Sequence, residues 1–289
     1  MAIELKGSEK DLGGFSVTRI IPHQQQKMVG PFVFVDHMGP ATFPAGSGIN
    51  VRPHPHIGLA TISYLLEGSM LHRDSIGSIQ EIVAGDVNWM TAGKGIVHSE
   101  RETIEVRGSE HTLNGLQCWV ALPPDKVNME PDFQHIAKTD LPYIHREKVL
   151  ARLIAGDAFN YSSPVKTYSP MFYLDLITEA GAEVERPFSD FETALYIISG
   201  RVRIGTQIFS AGQFVVLQEE QGIETLENSR YFLLGGQKFE TQPYLRWNFL
   251  AYSKEELKLA EDRWRSGGFP RIPGDDVEFI PLPTAWSHQ

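Results

Sequence analysis

The sequence predicts an all-β protein of two tandem barrels with one helix near the C-terminus. Three observations carry this. Short alternating strands punctuated by glycine turns run through most of the 289 residues. The rhythm of the first half returns in the second. A single well-capped helical stretch appears only after residue 252.

The first half supplies the clearest strands. Leu59 to Leu66 alternates Thr and Ser with Ile and Tyr and stops at Glu67-Gly68. Segments through Met70 and His72, then Gln80 to Val83, flank Gly77. Ala84-Gly85-Asp86 turns into Val87 to Met90, and Gly93-Lys94-Gly95 turns into Ile96-Val97-His98. Gly115 to Leu122 forms a further strand closed by Pro123-Pro124. In the second half Met171 to Thr178, Thr193 to Ile198, Arg201 to Gly205 and Phe214 to Leu217 repeat the pattern. Glu67-Gly68 corresponds to Ser199-Gly200, and Ala84-Gly85 to Ala211-Gly212, which is the mark of an internal duplication. Evenly spaced short strands fit a closed or double-sheet architecture. Residues 123–152, rich in Pro, Asp and Lys, read as the interdomain linker, and the boundary is set at 135/136, giving domains 1–135 and 136–289. Ser253 is the N-cap of the helix and Glu256 completes a capping box. Leu257, Ala260 and Trp264 share a face, Glu261 and Arg265 can pair, and Gly267-Gly268 ends the helix.

Composition narrows the function classes. Hydrophobic residues make up 42% and charged residues 21%, as in a globular protein. The apolar runs are too short to span a bilayer, and the N-terminus lacks the apolar core of a signal peptide. Cys118 is the only cysteine, so no intrachain disulfide forms; a reducing, cytoplasmic location is expected. The net charge is −10, split equally between residues 1–145 and 146–289. Neither half is basic and no basic tail is present, so direct nucleic-acid binding is disfavoured.

The histidines are unevenly placed. Nine of ten lie at or before His145, and the tenth is His288. Imidazole chemistry therefore belongs to the first domain, and the second is expected to be metal-free; a transition metal held around Glu192 or Glu219 would contradict this. His54-Pro55-His56 places two imidazoles on one side of a strand. His98-Ser99-Glu100 repeats that spacing with an imidazole and a carboxylate, about four strands later. Three imidazoles and a carboxylate suit one divalent transition metal, with Fe, Mn, Zn, Cu, Co and Ni all compatible.

Those two pairs, with Gly48 ahead of the first and Gly85-Asp86 and Gly95 ahead of the second, resemble the two cupin motifs. Together with Val35-Asp36-His37-Met38-Gly39-Pro40, Ser63-Tyr64-Leu65-Leu66-Glu67-Gly68 and Asn88-Trp89-Met90-Thr91-Ala92-Gly93-Lys94, they resemble the pirin family. The resemblance implies two tandem cupin barrels (double-stranded β-helix, jelly-roll type). It implies a metal, Fe(II) first, on His54, His56, His98 and Glu100. General cupins carry their carboxylate ligand where this chain has Ala60; the family takes it from the position of Glu100. Ile57 stands where the family often has a basic residue.

The resemblance also implies function. Several bacterial pirins oxidise the flavonol quercetin, opening its heterocycle with O₂ and releasing carbon monoxide. The expected reaction is that of a quercetin 2,3-dioxygenase acting on a small aromatic or enolisable substrate. Glu100 is the catalytic base that takes the flavonol 3-hydroxyl proton. Met90, Phe43 and Ile57 are assigned as apolar walls. The alternative is an iron-dependent regulatory protein acting through protein–protein contacts, as animal pirins do. His72 is read as a strand-surface residue and Cys118 as core. His72-Arg73-Asp74 and Gly93-Lys94-Gly95 lack the companion motifs of kinases and P-loops.

Overall fold

The computed structural model describes residues 1–11, 15–218 and 222–284. The chain divides into two compact units, each built on a large and a four-stranded antiparallel sheet. The first-domain unit has a seven-stranded sheet in the order Asp132–Ile136, Val87–Thr91, Leu59–Glu67, His111–Ala121, Phe32–Phe43, Ser16–Ile21, Ser8–Asp11. Its second sheet has four strands in the order Val51–His56, Ile96–Arg101, Ser69–Asp74, Ile79–Val83. The second-domain unit repeats the plan. Its large sheet is built on Phe214–Leu217, Glu192–Ser199, Ser229–Gly236, Met171–Thr178 and Val149–Ala158. A four-stranded sheet of Glu183–Val184, Ile223–Thr225, Arg201–Ile204 and Gln207–Ser210 accompanies it. These are two cupin-type domains. The duplicated turns keep their backbone: Gly68, Gly85, Gly200 and Gly212 have φ of 84°, 90°, 85° and 83°, a region that only glycine enters without strain.

The strand at Met171–Thr178 has the predicted limits, as has Phe214–Leu217. The linker reading is too broad. Asp132–Ile136 pairs with Val87–Thr91, and Tyr143–Arg146 pairs with Val149–Ala158, so both ends of the polar stretch are strands. The compact units divide at 137/138. Three further stretches group with the other unit than the one expected. Met1–Ser8 and Ile20–Phe32 belong to the second-domain unit, where Ile3–Leu5 pairs with Phe214–Leu217. The chain from Glu240 onward, with the helix Lys254–Arg265, belongs to the first-domain unit.

The reason for the helix's placement is apolar burial. Its face of Leu257 and Ala260 packs with Phe249, Phe269 and Ile272 against Val97, and Ile57 and Trp264 adjoin the same cluster. Ile57 is therefore part of the helix seat. Gly58 beside it has φ 72°, and a Cβ there would stand 2.0 Å from the Leu250 carbonyl, so only glycine lets the strand Phe249–Ala251 come this close. Leu250 N–H donates to the Ile57 carbonyl across that approach (3.1 Å). The capping box forms in both directions between Ser253 and Glu256, and Arg265 lies 3.6 Å from Glu261. Among the described residues no helix is long and apolar enough to cross a membrane. His288 and Glu219 lie outside the described residues.

Candidate metal centre

The four-stranded sheet of the first-domain unit brings the two sequence pairs together. Val51–His56 and Ile96–Arg101 run antiparallel with His98 directly opposite His54 and Ile96 opposite His56. Alternation then aims His54, His56 and His98 at one point. Their ring centroids are 5.1 Å (54–56), 4.3 Å (54–98) and 4.9 Å (56–98) apart. One ligand atom from each lies within 4.8 Å of the others, and all three residues are buried.

The protonation of this cluster follows from its burial. His54 Nδ1 lies 2.9 Å from the Arg52 carbonyl, which can only accept, so Nδ1 carries the hydrogen and Nε2 keeps its lone pair. Burial, with a smaller push from His72, lowers His54 to about 4. Burial drives His56 and His98 well below the ordinary imidazole value, and each neighbouring imidazole adds to the effect. His56 passes near the Asn248 backbone without a well-formed hydrogen bond. Both ring nitrogens of His56 and of His98 are buried without a partner among the described residues. Buried polar nitrogens without partners are costly, and three neutral imidazoles converging in one place fit a divalent transition metal.

Glu100 stands to one side of this set. Its Oε1 is 3.7 Å from His98 Nδ1, and it lies outside the trio of mutually close donors. Burial raises its carboxyl to about 7, while a hydrogen bond from Gln117 pulls the other way. Gln117 Nε2 donates to Glu100 Oε1 (3.2 Å), and Ser63 Oγ donates to Gln117 Oε1 (2.6 Å). Ser63 and Gln117 are cross-strand partners of the large sheet, so this relay is built into its register. The sequence reading assigns neither residue to the site.

The walls differ from those expected. Phe43 belongs to the core around Met38, Ile49 and Leu113 and stacks on His111, which is paired with Glu102. Met90 packs with Ala92 and Ile96, and Ile57 serves the helix. The rings that reach the cluster are Trp119, 4.9 Å from His56, and His72, 5.4 Å from His98. Phe133 stacks on His72 at 4.4 Å. His72 is thus not a surface residue: it is 3% exposed and donates from Nε2 to Asp74 Oδ2 (2.9 Å). The strand Ser69–Asp74 turns Met70, His72 and Asp74 inward together. Asp74 also accepts the backbone N–H groups of Ile76 and Ser78; these bonds and His72 hold it below the usual carboxylate range despite its burial. His37 faces Asn114 instead of this cluster. Cys118 is fully buried, as expected of a core residue.

Comparison with known proteins matches both halves. A Pirin family model covers residues 14–120, and one for the pirin C-terminal cupin domain covers residues 173–270. A pirin-like protein of Caulobacter vibrioides is 44% identical over 280 residues, spanning 95% of this chain and 96% of that protein. The crystal structure of a quercetin 2,3-dioxygenase from Acinetobacter baumannii superposes with a TM-score of 0.89 at 34% identity, covering 100% of this chain and 96% of that one. A bacterial pirin of Escherichia coli, in complex with nickel(II), shares the fold at 19% identity, with a TM-score of 0.65 over 83% of this chain and all of its own. Near full-length identity and models matched in both halves establish that this chain belongs to the pirin family.

Proposed function

We propose that this chain is a metal-dependent cupin dioxygenase that opens flavonols such as quercetin with O₂, its metal held by His54, His56, His98 and Glu100. The observation that carries the proposal is a trio of buried neutral imidazoles beside a buried carboxyl poised near neutrality. Fe(II) is the first choice of metal, and the donor set also accepts Mn, Zn, Cu, Co or Ni. When bound, the metal supplies a site where an ionised enol oxygen and O₂ meet.

The protein's own groups do the rest. Glu100 accepts the 3-hydroxyl proton at Oε2, since Oε1 is occupied by Gln117. Without a metal, burial raises this carboxyl to about 7, and a carboxyl raised toward neutrality suits a general base. The Ser63–Gln117 relay keeps that carboxyl from turning away. Trp119 and the His72–Phe133 stack pack aromatic rings beside the imidazoles, surroundings that exclude water from the reacting oxygen.

The test is metal analysis of the purified protein followed by oxygen uptake with quercetin and a panel of enolisable compounds. Uptake that requires the metal and a free 3-hydroxyl supports the reading. A metal-loaded protein that consumes no oxygen with any flavonol overturns it and favours the regulatory binder.

A further inference from the structure

The outer face of the metal-bearing sheet is gripped by the C-terminal segment at two points, and both lie at an irregularity in that sheet. His98 faces His54, but Glu100 faces Val51. Ser99 on one strand therefore opposes both Arg52 and Pro53 on the other, a bulge in the stretch Val51–His54. Pro53 lies in this stretch and has no N–H for the ladder; Val51–His56 is an edge strand, where proline is tolerated. Bulges re-aim the side chains around them, and this one sits between the His98 and Glu100 positions.

The residues that alternate with the ligands point outward. Ser99 is fully buried there, and its Oγ donates to Asp275 Oδ2 (2.7 Å). Arg101 donates to the same carboxylate through Nε (2.8 Å to Oδ2) and Nη2 (2.7 Å to Oδ1), a bidentate pair with little exposure on either side. These bonds hold the Asp275 carboxyl below its ordinary value despite its partial burial. Arg101 is fixed further by Asn50 and by Glu278. On the other strand, Ile280 N–H donates to the Pro53 carbonyl (2.8 Å), at the bulge. Trp264 Nε1 holds the Ile280 carbonyl (3.0 Å) and thereby ties this clasp to the helix.

We propose that Asp275 is a positioning residue of the metal centre: by holding Ser99 and Arg101 from outside, it sets where His98 and Glu100 point inside. The inference rests on the metal reading above. The carboxylate touches neither substrate nor metal; it acts through the strand it clamps. Bidentate charge-assisted bonds impose direction as well as attraction, which suits a fixing role. The segment that does this lies more than 170 residues away in sequence from the strand it clamps.

The experiment compares Asp275→Asn with two controls. Glu278→Gln removes only the outer contact to Arg101. Leu257→Ala loosens the helix seat without touching Ser99 or Arg101. Three readouts are taken on the full-length chain: amide exchange of the metal-free protein, cobalt(II) affinity by chelator competition, and the visible spectrum of the cobalt(II) protein. Asp275→Asn should speed exchange at residues 97–101, weaken cobalt by about 10–100-fold, as loss of a ligand-orienting partner typically does, and shift the ligand-field bands. Asp275→Glu should restore part of the affinity. Glu278→Gln should leave all three unchanged, and Leu257→Ala should lower the melting temperature while keeping the spectrum. A wild type that takes up cobalt together with an Asp275→Asn protein of unchanged spectrum and affinity overturns this inference alone. So does a Leu257→Ala protein whose spectrum shifts as far as that of Asp275→Asn. A wild type that binds no cobalt overturns the metal reading, and this one with it.

Discussion

At the level of single residues, His98 and Glu100 sit two apart on one strand, and the proposed reaction assigns them different work. His98→Ala deletes a donor from the trio, so metal content and turnover should fall together. Glu100→Gln keeps shape and one oxygen but removes the proposed base; turnover should fall by about 10²–10⁴-fold with a smaller loss of metal. Metal analysis and oxygen uptake on both variants check the split. Full turnover in Glu100→Gln would remove the base assignment.

The same groups make the metal-free protein sensitive to pH, with opposite signs. The imidazoles are depressed in the fold, His54 to about 4, so the unfolded chain binds more protons below the ordinary 6.5; stability is lost as pH falls through that window. Glu100 is raised from 4.5 to about 7, so here the folded chain holds the extra proton; stability is lost as pH rises between those values. The imidazoles titrate in wild type and in Glu100→Gln alike, so the difference between the two isolates the carboxyl. The metal-free Glu100→Gln protein should gain on wild type as pH rises from 4.5 to 7, by on the order of 3 kcal/mol if the whole shift is expressed. Denaturant titrations at several pH values measure it; a constant gap would mean that Glu100 is not perturbed.

Among the elements, the helix Lys254–Arg265 is the one whose local chemistry and tertiary role are both explicit. Its capping box satisfies backbone groups at the first turn, and Ser253→Ala should cost about 1 kcal/mol. Leu257 is buried in the cluster that joins the helix to Val97, and Leu257→Ala should cost about 2–5 kcal/mol. Both are read from denaturant midpoints of the first-domain transition. Equal and negligible losses would mean that the helix contributes little to the sheet beneath it.

For the molecule as a whole, the division into units decides what a truncation removes. A chain ended after Phe239 keeps every candidate ligand and all strands of the second-domain unit. It loses the cover of Val97, the Asp275 clamp on Ser99 and Arg101, and the Ile280 bond to Pro53. Such a protein should fail to retain metal. Metal content after gel filtration is the measurement. A truncated chain that is folded and fully loaded would show that the first unit is complete without its C-terminal part.

Strand rhythm, the duplicated glycine turns, the helix with its cap and the histidine positions were all legible in the sequence, because each depends on neighbours within a few residues. Alternation alone placed His54 with His56. The pairing of His54 with His98 needed only the return of one strand beside another. Ser63, Gln117, Trp119 and Phe133 were not legible as site residues, since cross-strand register and ring packing bring them there from separate strands. His72 was misplaced because strand alternation tells which residues share a face but not which face is inside. The home of the helix was equally undetermined. An amphipathic helix specifies an apolar face and no partner; the exposed side of the sheet carrying His98 and Glu100, with Val97 at its centre, became that partner only once the chain had folded.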